Sequence, residues 1–207
     1  MGGVVLPNVS VAKDAPTTVY YSPWVAPPPF FAKLTLNNGE VVELEGSGQL
    51  TSTMVSQYKN TLVSVEIGEL CTRIGNYAFD SYRSLTSVTI PSSVTSIGNS
   101  AFCVCSGLTS ITIPDSVTII NTNAFESCAS LTSVTIGSGV TGIGQTAFDN
   151  CRSLTSIKCD ATTAPTIYGN IFNNVKTGGT LTVPSGSTGY DEWMDYLGQY
   201  NWTKVEQ

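Results

Sequence analysis

The feature that most constrains this chain is a repeat with a period of 23 residues. Leu62, Leu85, Leu108, Leu131 and Leu154 keep that spacing without a break. Phe79, Phe102, Phe125 and Phe148 keep it too, each preceded by alanine, and Ile74, Ile97, Ile120 and Ile143 stay in step with them. A period in this range marks an architecture made by stacking similar units. Each unit opens as Leu85 to Ile90 does, with Val88 and Ile90 alternating with Ser87 and Thr89, the pattern of a half-buried strand. Pro91 and Pro114 then end the strand, because proline donates no ladder hydrogen bond. In the second half of the unit, Val94, Ile97, Ala101 and Phe102 face the interior. One unit cannot bury this set alone. A stack can, with nearest neighbours supplying most of the energy. The repeat therefore predicts a β-rich right-handed superhelix of 23-residue units, with one strand and short helical turns in each.

Two segments carry a resemblance: Val94-Thr95-Ser96-Ile97-Gly98 and the recurring Ala-Phe-x-x-Cys. They resemble the BspA-like, or Treponema-type, leucine-rich-repeat family of bacterial surface proteins, over residues 62 to about 177. The resemblance implies a leucine-rich-repeat solenoid. It also implies a non-enzymatic binding or adhesion module, since such proteins are implicated in attachment to host matrix or other cells. The widespread leucine-rich consensus wants Asn or Cys where this chain has Ser93, Ser116 or Gly139, so no asparagine ladder is expected.

The flanks differ from the array. In residues 33–61, Lys33 to Leu44 reads as a hairpin around Asn38-Gly39, suited to an N-terminal cap. Five repeats fill 62–177, the last one degenerate, with Phe172 arriving one residue late. Residues 178–207 read as a C-terminal aromatic cap: Leu181 to Pro184 as a last strand, then Tyr190, Trp193, Tyr196, Leu197 and Tyr200 at helical spacing. A recognition patch is the alternative for those aromatics. Residues 1–32 hold six of the ten prolines, with Tyr20, Tyr21, Trp24, Phe30 and Phe31 between them. Such sequence favours extended geometry. It reads either as a linker or as an assembly arm whose aromatics dock on another subunit.

Several functions lose ground on composition. The net charge is -6 and the nine basic residues are scattered from Lys13 to Lys204, so a nucleic-acid partner is not expected. No apolar run approaches the roughly 18 residues of a membrane span, and residues 1–7 lack the basic start of a signal peptide. If a leader has been removed, the protein acts outside the cell or at its surface. If Met1 is the native start, its origin is cytoplasmic or a virion. The chain has no histidine, the commonest general base and zinc ligand. Asp80, Glu126 and Asp149 follow the repeated Phe, but Cys103 takes that place in the second unit. No catalytic residue, cofactor or metal site is therefore assigned. Gly137-Ser138-Gly139-Val140-Thr141-Gly142 has the dinucleotide spacing, yet it aligns with an ordinary turn of the repeat and is rejected as a nucleotide loop. Five of the six cysteines sit where the repeat takes a small apolar residue, which favours buried thiols over disulfides.

The outward strand positions remain. Ser87, Thr89, Ser110, Thr112, Ser133 and Thr135 form two hydroxyl files that suit a repetitive ligand such as a glycan, or a protein. Small hydroxyl residues also suit any exposed sheet. The competing function is a structural subunit, of a phage tail or capsid fibre for example, anchored to other subunits by the N-terminal arm.

Overall fold

Residues 29–207 are described by a computed structural model. The chain enters through β1 (Ala32–Leu36), β2 (Val41–Leu44) and β3 (Gly48–Leu50), then a short helix α1 (Ser52–Val55). The repeats contribute β4 (Leu62–Ile67), β5 (Cys71–Ile74), β6 (Ser87–Thr89), β7 (Ser96–Ile97), β8 (Ser110–Ile113) and β9 (Ile119–Ile120). They continue with β10 (Ser133–Ile136), β11 (Gly142–Ile143), β12 (Ser156–Cys159) and β13 (Thr166–Ile167). The chain ends in β14 (Thr180–Val183), helix α2 (Asp191–Leu197) and β15 (Thr203–Glu206).

Even-numbered repeat strands lie on one side, the front, and odd-numbered ones on the other. On the back, β13-β11-β9-β7-β5-β3 form one six-stranded parallel sheet. Its inward file runs Leu50, Ile74, Ile97, Ile120, Ile143 and Ile167, each opposite the next. The sequence does not announce this second sheet. Val94 and Ile97 are three apart, and a strand of two residues shows no alternation. The front is split in two: β2-β1-β4-β6, and β15-β14-β12-β10-β8. No strand pairing joins β6 to β8. The β1–β2 hairpin turns at Asn38-Gly39, with Gly39 at φ +84, and β1 also pairs antiparallel with β4.

The third side carries the Ala-Phe segments. The short helical turns expected there are single turns closed by i→i−3 bonds, such as Tyr82 N–H to the Phe79 carbonyl. Intervening amides reach the next unit instead: Tyr77, Phe79 and Ser81 donate to the carbonyls of Asn99, Ala101 and Cys103. A continuous helix would consume those amides within its own turn. Left-handed residues, Tyr77 and Ser81 in the first unit and Ser100 and Val104 in the second, rotate alternate peptides towards the neighbour. Beneath them Phe79, Phe102, Phe125, Phe148 and Phe172 stack with centroids 5.2, 5.3, 5.4 and 6.2 Å apart. Trp193 of α2 ends the row, 5.5 Å from Phe172 and tilted by 59°. The late arrival of Phe172 reflects an extra residue between β12 and β13: Ile136 pairs with Cys159, whereas Ile143 pairs with Ile167.

Candidate ligand-binding face

The six candidate residues all lie on the front strands, pointing away from the core. Ser110 pairs with Ser133 and Thr112 with Thr135, so these four form a two-by-two block on β8 and β10. Ser87 and Thr89 belong to the other front sheet, opposite Ser64 and Glu66 of β4. The structure thus divides the two hydroxyl files between β6 and β8. Beyond β10 the same files pass through Ser156 and Lys158 to Thr180 and Thr182.

Hydroxyl engagement distinguishes this face from the other threonine files. Thr95, Thr118 and Thr141 each donate their Oγ1–H to the carbonyl one unit back, at 3.2, 3.2 and 3.1 Å. Thr86 and Thr132 donate likewise, to Val63 and Thr109, at 3.0 and 2.9 Å. Those hydroxyls support the backbone. None of the six candidate hydroxyls bonds to another described residue, and all six remain directed at solvent.

Ser87 and Thr89 also line a shallow depression of about 310 Å³, together with Lys33, Thr35, Val41, Ser64 and Glu66. Sequence reasoning missed the contribution of the hairpin, because the register of β1 against β4 is no part of the repeat. Alternating charge across β2, β1 and β4 was the available signal: Glu43, Lys33 and Glu66 stand side by side. Lys33 Nζ lies 3.2 Å from Glu43 Oε1, an exposed pair worth little by itself.

Of the proposed arm residues, Tyr20, Tyr21 and Trp24 lie outside the described residues. Phe31 is corrected: it is buried in the core, and its carbonyl accepts from Gly68 N–H at 2.8 Å. A ring already packed inside cannot dock on another subunit. Phe30 is half-buried, with Lys33 Nζ 4.6 Å from its ring centroid. Tyr190, Trp193 and Leu197 are buried as well, and Tyr196 and Tyr200 pack half-buried against the same core.

The chemistry-bearing groups have structural duties. Asp149 accepts from Asn173 N–H at 2.8 Å, Asp80 accepts from Ser81 Oγ–H at 3.2 Å, and Glu126 is engaged by the Asn123 amide. Among the described residues no group of three or more Cys, Asp or Glu side chains could hold a metal ion. The glycine-rich segment is explained by close approach. A Cβ on Gly137 would lie 2.6 Å from the Asp115 nitrogen, and one on Gly139 only 1.8 Å from the Asp115 carbonyl oxygen. Gly139→Ala should therefore cost about 1–3 kcal/mol or more. Gly142→Ala, whose nearest contact is an ordinary 3.7 Å, should be neutral or mildly stabilising. Urea unfolding compares the two; equal effects would refute the close-approach explanation.

All six cysteines are free. Cys105, Cys128 and Cys151 donate S–H to the carbonyls of Phe79, Phe102 and Phe125 at 3.1, 3.1 and 3.3 Å, tying each unit to the preceding one. In the first unit Tyr82 does this with its hydroxyl, to Val55 at 2.8 Å. Burial pushes all these thiols up, Cys151 to about 12, and burial lifts Cys71 and Cys159 too. Below the ordinary thiol value of 9.0, folded and unfolded chains are both protonated and nothing is lost. Above it the unfolded chain releases protons that the folded chain retains, so stability falls as pH rises. The urea midpoint should stay level up to about pH 8 and decline from about pH 9. A midpoint constant to about pH 10.5 would contradict the buried-thiol assignment.

The comparisons agree with this geometry. The BspA type leucine-rich repeat region matches residues 55–191, in six copies. No curated protein matches the chain. Among solved structures it is similar to a leucine-rich-repeat protein of T. pallidum, at 22% identity over 79% of this chain and 82% of that one, with a TM-score of 0.50. It is also similar to a leucine-rich-repeat protein of Bacteroides ovatus, at 20% identity over 71% of this chain but 37% of that one, with a TM-score of 0.48. The first of these likenesses concerns the fold alone. With six copies of the repeat spanning most of the described residues, this chain belongs to the BspA-type leucine-rich-repeat family.

Proposed function

We propose that this protein is a non-enzymatic binding module at a bacterial surface, which presents the hydroxyl face of its front sheets to a protein or glycan ligand. Family membership supports a protein-binding repeat module. The observation that carries the choice of face is the contrast in hydroxyl engagement. Thr95, Thr118 and Thr141 spend their hydroxyls on the preceding unit, whereas Ser110, Thr112, Ser133 and Thr135 keep theirs towards solvent in a regular block. A ligand meeting that block finds donors and acceptors at the strand spacing of about 4.8 Å, and displaces only water to reach them.

The test uses the full chain with Thr112→Glu and Thr135→Glu combined, against immobilised extracellular-matrix proteins and a glycan array. Binding to at least one ligand that wild type selects should fall about tenfold or more, equivalent to about 1.4 kcal/mol. The melting temperature should stay unchanged, since neither side chain packs inward. A variant that binds every wild-type ligand equally well excludes the face.

A further inference from the structure

A second recess lies beside the first repeat and is lined by none of the six hydroxyl-face residues. Three of the eight described Lys and Arg residues are ion-paired: Lys33, Lys158 and Lys204. Of those without an ion-pair partner among the described residues, Lys59 and Arg83 line one open depression of about 400 Å³, with Asn60, Ser81 and Ser84. Two cations without an ion-pair partner among the described residues, in one recess, stand out on a chain of net charge -6 with only 12% charged residues. Lys59 also lines an adjoining depression of about 210 Å³, which holds Tyr77 and Asp80. Tyr77 is 56% exposed and sits at φ +56, where the other units carry Ser100, Asn123 and Thr146. An aromatic ring gains nothing from the core in that place, and bulky residues are uncommon in that backbone region. Strain of this kind motivates a search for function.

We propose that these adjoining recesses form a binding site for an acidic saccharide. The ring of Tyr77 offers an apolar platform for a sugar face, as tyrosine does at surfaces that are half apolar and half wet. Lys59 and Arg83 receive the anionic group, with the planar guanidinium matched to a carboxylate or sulfate in bidentate fashion. Asn60, Ser81 and Ser84 face the sugar hydroxyls. Asp80 lines the Tyr77 side and not the Arg83 side, so it directs the anion towards Arg83. The site is independent of the hydroxyl face and needs neither Thr112 nor Thr135.

The repeat itself provides substitutions that the fold accepts. Arg83→Ser installs the residue of Ser106, and Tyr77→Asn that of Asn123, which suits the left-handed backbone. Calorimetric titration of the full chain would use a sulfated glycosaminoglycan hexasaccharide, an oligogalacturonate hexamer and neutral maltohexaose. Wild type should bind at least one acidic oligosaccharide and bind maltohexaose about tenfold or more weakly, with affinity falling as salt rises. Preference between sulfate and carboxylate identifies the anion. Lys59→Gln with Arg83→Ser should remove that binding, and Tyr77→Asn should weaken it with no loss of melting temperature. Arg152→Ser, the equivalent cation three units on, and the Thr112/Thr135 variant should bind as wild type does. Equal binding of acidic and neutral sugars, no binding of either acid, or undiminished binding by the Lys59/Arg83 variant would overturn the proposal.

Discussion

Replacing Phe125 by alanine is expected to lower the free energy of unfolding by about 3–5 kcal/mol. Phe125 is fully buried at the centre of the aromatic row, with Phe102 at 5.3 Å and Phe148 at 5.4 Å, the rings almost parallel. Its removal deletes two stacking contacts at once and leaves a void between units whose backbones are fixed by their own ladders. Collapse into that void is restricted, because Phe125 N–H still donates to Ala147 and Phe102 N–H to Ala124. A domain of this kind has only about 5–15 kcal/mol in total. Since units contact only their neighbours, a central defect also uncouples the two halves. Denaturation should therefore shift to lower urea and broaden. A change below about 1 kcal/mol would mean that the row is not a main source of stability.

Trp193→Ala should cost a comparable amount, about 3–5 kcal/mol, but with a different distribution along the chain. Trp193 packs on Phe172 and, edge to face, on Tyr190 at 5.4 Å, while its Nε1–H donates to the Pro165 carbonyl at 3.2 Å. The substitution exposes the end of the Phe row and leaves that carbonyl without its donor. Losses at the end of a stacked array stay near that end. Hydrogen exchange should accelerate first in β12, β13 and β14, with β4 and β5 little changed. Trp193→Phe should recover part of the loss. Uniform acceleration over the whole chain would show that the array unfolds as one unit, against the nearest-neighbour description.

The inward columns were legible in the sequence because each is repeated. Four Phe residues in step leave little freedom about which side chains face the core. The back sheet was not legible, since Ser96–Ile97 and Ile119–Ile120 are too short to show a period. The division of the front between β6 and β8 has no sequence signal either: Ser87 and Ser110 are equivalent in the repeat but belong to different sheets. Phe31 was misread because proline-rich surroundings masked a core residue just before β1. The cationic recess escaped for a related reason. Lys59 precedes the array and Arg83 lies inside it, so only their fold-level proximity joins them. The available clue was departure from the repeat, an exposed tyrosine where other units carry Ser, Asn or Thr.

The central claim is that inward repeat positions hold the fold while outward front positions are free to serve binding. Urea unfolding of a paired set tests it most directly: Leu131→Ala, Ile120→Ala and Phe125→Ala against Ser110→Glu, Thr112→Glu and Thr135→Glu. The inward substitutions should each cost about 2–5 kcal/mol and the outward ones no more than about 0.5 kcal/mol. Outward substitutions that destabilise as much as the inward ones would contradict the claim, because the hydroxyl face would then be part of what holds the fold together.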